Sequence, residues 1–557
     1  MSGSDEAGPG NPKKVYSVIA RALVEHGTEV IFGMLGDANM MIADDLARVH
    51  GVRYVSTSRE DGAVLMADGY ARVSGRLGVA TVTQGPGLTN TVTALVEAAR
   101  ARTPVVVVCG DTPPDVDEHL QDIEQREIVL GSGAGFVQVR SARTAAGDVA
   151  VAVRRAWEER RPIVLNAPTH VQLADAEAEY VPVAAEQPGR QAIVPDPEAL
   201  DRAVGLVASA RRPVILAGRG AVQSGARDTL LRLASILGAP VATTLGAKDY
   251  FADSPFNLGL FGTLSTSVAT TEILKADCVV AFGASLNRFT AADGSFLKDR
   301  RVVQVDTDPT AIARWRSVDV GIFADATATA AAMCEYLQEM DAQPSSFCSP
   351  ALAEALAGFQ AEREFRDRST ETTVDLRTAL IRLDKLLPAD RGVASDAGMF
   401  CTAVWRYLHV PEPAAFVWAN NFGSVGLCLA EAVGAAVAAP GRPSVAVMGD
   451  GGFMMGGILE FNTAVRHGLD LIVIVVNDGA YGAEYYNLTE LGMDPALAWM
   501  SWPDFAAVAD ALGGRGMTVH SLADLELVSE AVAKRDRPLL IDLRVDVEVS
   551  ASVRRQG

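Results

Sequence analysis

Strand-length runs rich in Val and other apolar residues alternate along this chain with Ala/Leu-rich stretches of helical composition. The clearest are "VATVTQ", "PVVVVCG", "RPVILAG", "CVVAFG", "RVVQVD", "PSVAVMG" and "DLIVIVVND". Apolar runs without polar alternation are buried on both faces, and such runs separated by helices build parallel sheets. The expected fold class is therefore α/β. At 557 residues the chain exceeds one core and suits roughly three domains of about 150–200 residues each. Two stretches break the rhythm: "ADAEAEYVPVAAEQPGRQAIVPDPEAL", near 174–200, and "QEMDAQPSSFCSPALAEA", near 338–355. They divide the chain into 1–185, 190–340 and 365–557. The first and third blocks share a layout of Gly-rich turns at strand ends, each leading into an Ala-rich helix.

Composition narrows the function classes. With 49% hydrophobic and 21% charged residues the chain is globular. A net charge of −20 argues against a nucleic-acid partner, because phosphate backbones require a basic face. The six Cys are scattered without a Cys-x-x-Cys pair, so neither a zinc site nor a disulfide framework is expected. The start, "MSGSDEAGPGNPKK", lacks the apolar core of a signal peptide. No run reaches the roughly 18 apolar residues of a membrane span. A cytoplasmic protein with no membrane partner is expected.

The stretch "VAVMGDGGFMMGGILEFNTAVRHGLDLIVIVVNDGAYG", Val445 to Gly482, carries the sharpest chemistry. An apolar run ends in Gly-Asp-Gly-Gly, a helical stretch follows, and a second run ends in Asn-Asp-Gly. Ligands bind at strand ends of parallel sheets, where helix N-termini converge. Gly449, Gly451 and Gly452 let backbone approach a phosphate closely. Asp450 is a hard oxygen ligand for Mg²⁺ or Ca²⁺. Asn477 and Asp478 offer side-chain oxygens at the next strand end, and Gly479 or Ala480 a carbonyl. A lone Gly-Asp-Gly would read as a tight turn with a capping Asp. Its pairing with Asn477, 27 positions on, reads as a clamp for a diphosphate and a divalent cation.

Gly-Asp-Gly, a helix, then Asn-Asp resembles the thiamin-diphosphate motif, and the resemblance covers nearly the whole chain. "SREDGAVLMADGYARVSGRLGVATVTQGPGLTNTVTALVEAARARTPVVVVCGD" is similar to the pyrimidine-binding domain of the acetohydroxyacid synthase, benzoylformate decarboxylase and pyruvate decarboxylase group. "NNFGSVGLCLAEAVGAAVAAPGRPSVAVMGDGGF" is similar to its diphosphate-binding domain, and the middle block to its central domain. The resemblance implies three Rossmann-like domains with parallel sheets: pyrimidine-binding, central, and diphosphate- and Mg-binding. It implies thiamin diphosphate and Mg²⁺ as cofactors. It also implies a homodimer or homotetramer whose active sites lie between subunits. Metal ligands would be Asp450, Ala480 through its carbonyl, and either Asn477 or Asp478. Counting from Asp450 selects Asn477; aligning from "AYG" selects Asp478.

By the same resemblance Glu60, in "SRED", would hydrogen-bond the aminopyrimidine ring and help remove the acidic proton of the thiazolium. A carboxyl with this task belongs in an apolar pocket. Gly423 matches the acceptor for the 4′-amino group. Val425 matches the residue that props the cofactor into a bent shape, with Val smaller than usual. Gly398, in "SDAGMF", lies where relatives contact the diphosphate, and Tyr481 stands with the cofactor-binding residues.

For the reaction, Asp37 in "GDANMMI" matches a catalytic Asp of pyruvate decarboxylases, and Glu484 falls on their catalytic Glu when "AYG" sets the register. Two carboxyls near one reacting carbon can divide acid and base roles by environment. The paired His of those enzymes is replaced by "EHLQDIEQ", with His119 and Gln121. Gln121 resembles the active-site Gln of the synthases, an amide that hydrogen-bonds without titrating. The central block has no Gly-x-Gly-x-x-Gly fingerprint, and "GASLNRFT" lacks the Arg-Phe-Asp-Asp-Arg pattern of FAD-containing synthases. FAD or ADP is therefore possible but not favoured. The expected activity is decarboxylation of a small 2-oxo acid, with protonation or carboligation of the product, in the manner of acetolactate synthases. The alternatives are a C–C lyase of the 2-hydroxyacyl-CoA type and an inactive cofactor-binding regulatory or structural subunit.

Overall fold

Parallel strands buried on both faces define the architecture, which the computed structural model describes over residues 12–116, 118–176, 180–183 and 192–549. The boundary expected near 185–190 lies partly outside these described residues, as does most of the N-terminal stretch read as no signal peptide. Three six-stranded sheets form along the chain. The first holds β1 (Val30–Gly33), β2 (Arg53–Ser56), β3 (Gly78–Val82), β4 (Val105–Asp111), β5 (Gly135–Gln138) and β6 (Ile163–Pro168). The second holds β7 (Pro213–Ala217), β8 (Val241–Thr243), β9 (Asn257–Leu260), β10 (Cys278–Phe282), β11 (Arg301–Asp306) and β12 (Val320–Phe323). The third holds β13 (Gly392–Asp396), β14 (Phe416–Ala419), β15 (Ser444–Gly449), β16 (Leu471–Asn477), β17 (Arg515–Val519) and β18 (Leu539–Arg544). The pairings are parallel throughout, as the uninterrupted apolar runs require.

The first sheet runs β2-β1-β3-β4-β6-β5 and the third β14-β13-β15-β16-β18-β17, the same order in each. The layout shared by the first and third blocks of sequence is thus a shared topology. The second sheet runs β12-β11-β10-β7-β8-β9, the doubly wound dinucleotide-fold order. In the first and third sheets the last two strands are exchanged at the far edge, and in each sheet the strand order reverses next to its first strand. That switch point opens a crevice at the carboxyl ends of the strands, the usual ligand position in such sheets.

The first and third domains pack back to back. Helix Glu60–Ser74 lies against helix Cys428–Ala438, and their apolar residues share one buried cluster that includes Val64, Met66, Leu429 and Val433. A Cβ at Gly69 would overlap the carbonyl oxygen of Glu431, and one at Gly434 that of Met66. The two backbones therefore touch only because both positions are glycine. Pairing 69 with 431 and 66 with 434 also makes the helices antiparallel. The N-terminus of one lies beside the C-terminus of the other.

Candidate functional site

The third-domain half of the site grows from three strand ends. Asp450 follows β15 and opens a helical run: a turn over Asp450–Gly452, a π-helical segment over Phe453–Gly457, then helix Ile458–Arg466. Single π-turns of this kind recur at functional sites. The Asp450 Oδ1 accepts from Gly451 N at 2.6 Å and its Oδ2 from Gly479 N at 2.8 Å, so the carboxylate ties the β15 end to the loop after β16. These strands are neighbours, with Gly449 opposite Val476.

Burial pushes the Asp450 carboxyl up to about 6. Asp478 is pushed up to about 8, by burial first and then by the Asp450 charge beside it. Its Oδ1 accepts from Ala480 N at 3.1 Å. Asn477 is turned elsewhere: its Nδ2 donates to Asp542 Oδ1 at 2.9 Å, and its Oδ1 is buried without a partner. Of the two, Asp478 is the residue that feels the Asp450 charge.

Two glycines here answer a steric demand set by protein groups. A Cβ at Gly451 would lie 2.5 Å from the Tyr481 ring, and one at Gly452 would lie 2.5 Å from Asp396 Oδ2. Asp396 ends β13 and is fully buried, and burial pushes its carboxyl up to about 7. Its Oδ2 accepts from Gly426 N at 2.8 Å, at the mouth of helix Cys428–Ala438. The sequence reading missed Asp396; its signal was an Asp closing a strand directly before the "AGMF" turn. Gly398 lies in that turn, where a Cβ would meet the Phe400 ring. Gly423, exposed at φ +78°, and half-buried Val425 lie on the loop leading to Gly426. Glu484 is exposed on the first turn of helix Gly482–Glu490, just beyond Tyr481.

These residues suit a hard cation held on a diphosphate. A buried carboxyl, Asp450, and a half-buried one, Asp478, stand side by side among backbone N–H groups, an arrangement that like charges oppose until a cation intervenes. Among the described residues no cluster of three or more His, Cys, Asp or Glu is placed to hold a metal by itself. One or two carboxylates completed by a carbonyl and phosphate oxygens is the ordinary setting of Mg²⁺.

The first-domain half lies at the β1/β3 switch point. Exposed Asp37, after β1, accepts from the Thr83 hydroxyl at 3.1 Å and from Gln84 Nε2 at 3.4 Å. Buried Gln84 also donates to Gln121 Oε1 at 2.7 Å. The Gln121 main chain rests on Gly85, where no Cβ would fit, and His119 Nδ1 accepts from Gln121 N at 3.2 Å. Asp37, His119 and Gln121 are therefore brought together, with Gln84 as a hub that sequence reasoning did not name. Gln125 fixes this loop from behind: it accepts from Gly85 N at 2.9 Å and donates to Gly110 O at 2.9 Å and Asn166 Oδ1 at 2.8 Å.

Glu60 opens helix Glu60–Ser74, half-buried, and accepts from Asn90 Nδ2 at 3.0 Å. The single chain does not enclose it in the apolar pocket expected for it, because the nearby loops leave that helix end open. It belongs to the other domain from Asp450. Glu460 touches the Glu60 end of the helix through Ser58 N and Gly62. It stands ten residues along the helical run from Asp450, which is roughly 15 Å of helix.

At the second-domain switch point the backbone groups are used by one another. Gly218 N donates to Phe282 O at 2.9 Å and Gly220 N to Gly283 O at 3.1 Å. Arg219 reaches out to Ala101 O of the first domain at 2.6 Å.

Doubly wound sheets with carboxylates and glycines gathered at the last switch point place the chain in the phosphate-binding class of α/β proteins. Comparison with known proteins narrows the class. Residues 13–128 match the N-terminal TPP binding domain of thiamine pyrophosphate enzymes, 200–333 their central domain and 396–543 their C-terminal TPP binding domain. A sulfoacetaldehyde acetyltransferase of Castellaniella defragrans is 31% identical, over 90% of this chain and 88% of its own. An acetolactate synthase of Mycobacterium bovis is 28% identical over 95% and 88%. A probable acetolactate synthase large subunit of Methanocaldococcus jannaschii is 27% identical over 96% and 92%. The chain belongs to the thiamine pyrophosphate enzyme family, in its acetolactate-synthase-like group. Among the described residues, no helix is long and apolar enough to cross a membrane.

Proposed function

We propose that this chain is a Mg²⁺- and thiamin-diphosphate-dependent enzyme that decarboxylates a small 2-oxo acid and passes the product to a proton or to an acceptor carbonyl. The observation that carries this reading is the Asp450–Asp478 carboxyl pair at adjacent strand ends, a built place for a cation and a diphosphate. Asp450, Asp478 and the Ala480 carbonyl would hold Mg²⁺; Gly398, Gly449, Gly451, Gly452 and Tyr481 would border the diphosphate. Asn477 supports the strand end through Asp542. When bound, the cofactor supplies an electron sink next to the substrate carbonyl carbon. Glu60 would share a proton with the aminopyrimidine ring, and Gly423 and Val425 would hold the ring's far side.

The substrate faces Asp37, Gln121 and His119, with Glu484 at the edge. Gln84 donates to Gln121 Oε1, which leaves the Gln121 Nε2 protons free to bind an oxyanion or carbonyl oxygen. Asp37, anchored by Thr83 and Gln84, is placed to take or give a proton.

Between Asp450 and Glu460, which touches the Glu60 end, lies roughly 15 Å of helix, a separation within one chain that supports a site shared by two subunits, hence a homodimer or a higher even assembly. Decarboxylation is tested by CO₂ release from pyruvate and benzoylformate, with and without Mg²⁺ and cofactor. No release from either, with cofactor bound, would discard it. The acetyltransferase relative favours a second reading: a sulfonated aldehyde, its anionic group bound by the same amides, loses sulfite as its C–S bond breaks, and the two-carbon unit passes as an acetyl group to a nucleophilic acceptor such as phosphate. Consumption of sulfoacetaldehyde without CO₂ release from 2-oxo acids would select it.

Gln121→Ala removes the outward amide. In either reading kcat/KM should fall roughly 10- to 100-fold, the cost of one hydrogen bond to a charged group. Cofactor affinity should be unchanged. Steady-state kinetics on the substrate found active will show this, and an unchanged kcat/KM would place Gln121 outside the site.

A further inference from the structure

The loop from Asn420 to Leu427 brings Gly423 and Val425 toward the cofactor position; Asp396 of its own domain holds its Gly426 end, and a residue of the first domain holds its Asn421 end. Glu97, on helix Val92–Ala101 of the first domain, is fully buried. Its Oε1 accepts from Asn421 N at 3.0 Å and from Asn421 Nδ2 at 2.6 Å, and its Oε2 accepts from Phe422 N at 2.7 Å. One helical turn further on, the Arg100 guanidinium lies 4.8 Å over the Phe422 ring.

Glu97 sits in a largely buried charge group at the seam of the two domains. Arg72 faces Asp68 at 2.8 Å, Glu97 at 3.6 Å and Glu431 at 3.4 Å, and donates to Trp418 O at 3.0 Å. One guanidinium thus serves three carboxyls. Burial pushes the Glu431 carboxyl well above the usual carboxylate range, against the pull of the Arg72 guanidinium. Apolar packing would join two helices at less cost than buried charge. What a carboxylate adds is direction: two oxygens matched to three N–H donors at the start of the loop, opposite the end that Asp396 holds.

Taking the thiamin-diphosphate reading above as given, we infer that Glu97 is a positioning residue that holds the Asn421–Phe422 turn so that Gly423 and Val425 meet the cofactor. The first domain thereby shapes the diphosphate domain of its own chain.

Glu97→Gln keeps the size but sets an NH₂ group against N–H donors. Thiamin diphosphate is titrated into metal-saturated apoprotein and followed by tryptophan fluorescence. Affinity should fall roughly 10- to 100-fold, while kcat at saturating cofactor stays within about 3-fold. Amide hydrogen exchange of the 420–427 peptide should rise in the apoprotein and that of 60–74 should not. Asp68→Asn, which alters the charge group but not the loop, should leave cofactor affinity near wild type. Equal losses in the two variants, with exchange rising over both peptides, would mean domain packing alone and overturn the inference, as would wild-type affinity in Glu97→Gln. If Glu97→Gln does not fold, Asn421→Ala removes one of the three bonds and leaves the charge group intact. It should weaken binding by a smaller factor, and unchanged affinity would overturn the inference. Failure of the unmodified protein to bind thiamin diphosphate would instead overturn the functional reading.

Discussion

Asp450→Ala will not retain thiamin diphosphate at Mg²⁺ concentrations that saturate the unmodified protein. The expected loss is at least about 100-fold, since even supporting residues around a metal commonly change affinity 10- to 100-fold. Asp450 does two things that nothing nearby replaces. It offers anionic oxygen to the cation, and it accepts from Gly451 N and Gly479 N, which joins the β15 end to the loop after β16. Alanine removes the charge and leaves two N–H groups without an acceptor. The companion substitutions should separate two roles. Asp478→Ala should raise the Mg²⁺ requirement, because its carboxyl stands next to that of Asp450. Asn477→Ala should mainly lower thermal stability, because its amide serves Asp542. Calorimetric titration of cofactor with Mg²⁺ decides this. Unchanged affinity in Asp450→Ala would remove the clamp, and a Mg²⁺ defect confined to Asn477→Ala would restore the other register.

The second large effect belongs to Glu60→Gln. Glutamine keeps the shape and one accepting oxygen, but it cannot share a proton with a ring nitrogen. Cofactor should still bind, because the clamp is in the other domain. Exchange of the acidic carbon-bound proton of the bound thiazolium should slow by roughly 10²- to 10⁴-fold, the scale of general acid–base assistance. NMR after acid quench in deuterated buffer measures it. Exchange at the unmodified rate would withdraw Glu60 from this role.

The α/β class was legible because β4 and β16 carry no polar residue before their closing Asp111 and Asn477, and only a sheet covered on both faces tolerates that. The proposed clamp could be read from sequence because its parts lie on consecutive strands with one helix between them. The choice between Asn477 and Asp478 could not, since successive residues leaving a strand point to opposite sides and one inserted residue reverses them. Gln84, Asp396 and Glu97 were invisible for a different reason. Each works through a partner far along the chain: Gln84 through Asp37 and Gln121, Asp396 through Gly426 and Glu97 through Asn421. Pairs of that kind leave no periodic or local mark in a single sequence.

The antiparallel contact of Gly69 and Gly434 sends Glu60 and Asp450 out of opposite ends of one rigid seam. In a twofold assembly each chain would then lend its Glu60 to one site and its Asp450 to the other. Lesions at the two ends would become separable defects that complement each other in trans. A hybrid of one Glu60→Gln chain and one Asp450→Ala chain has one doubly damaged site and one intact site. Random mixing of the two inactive variants would thus restore about a quarter of full activity, whereas a chain carrying both lesions rescues neither.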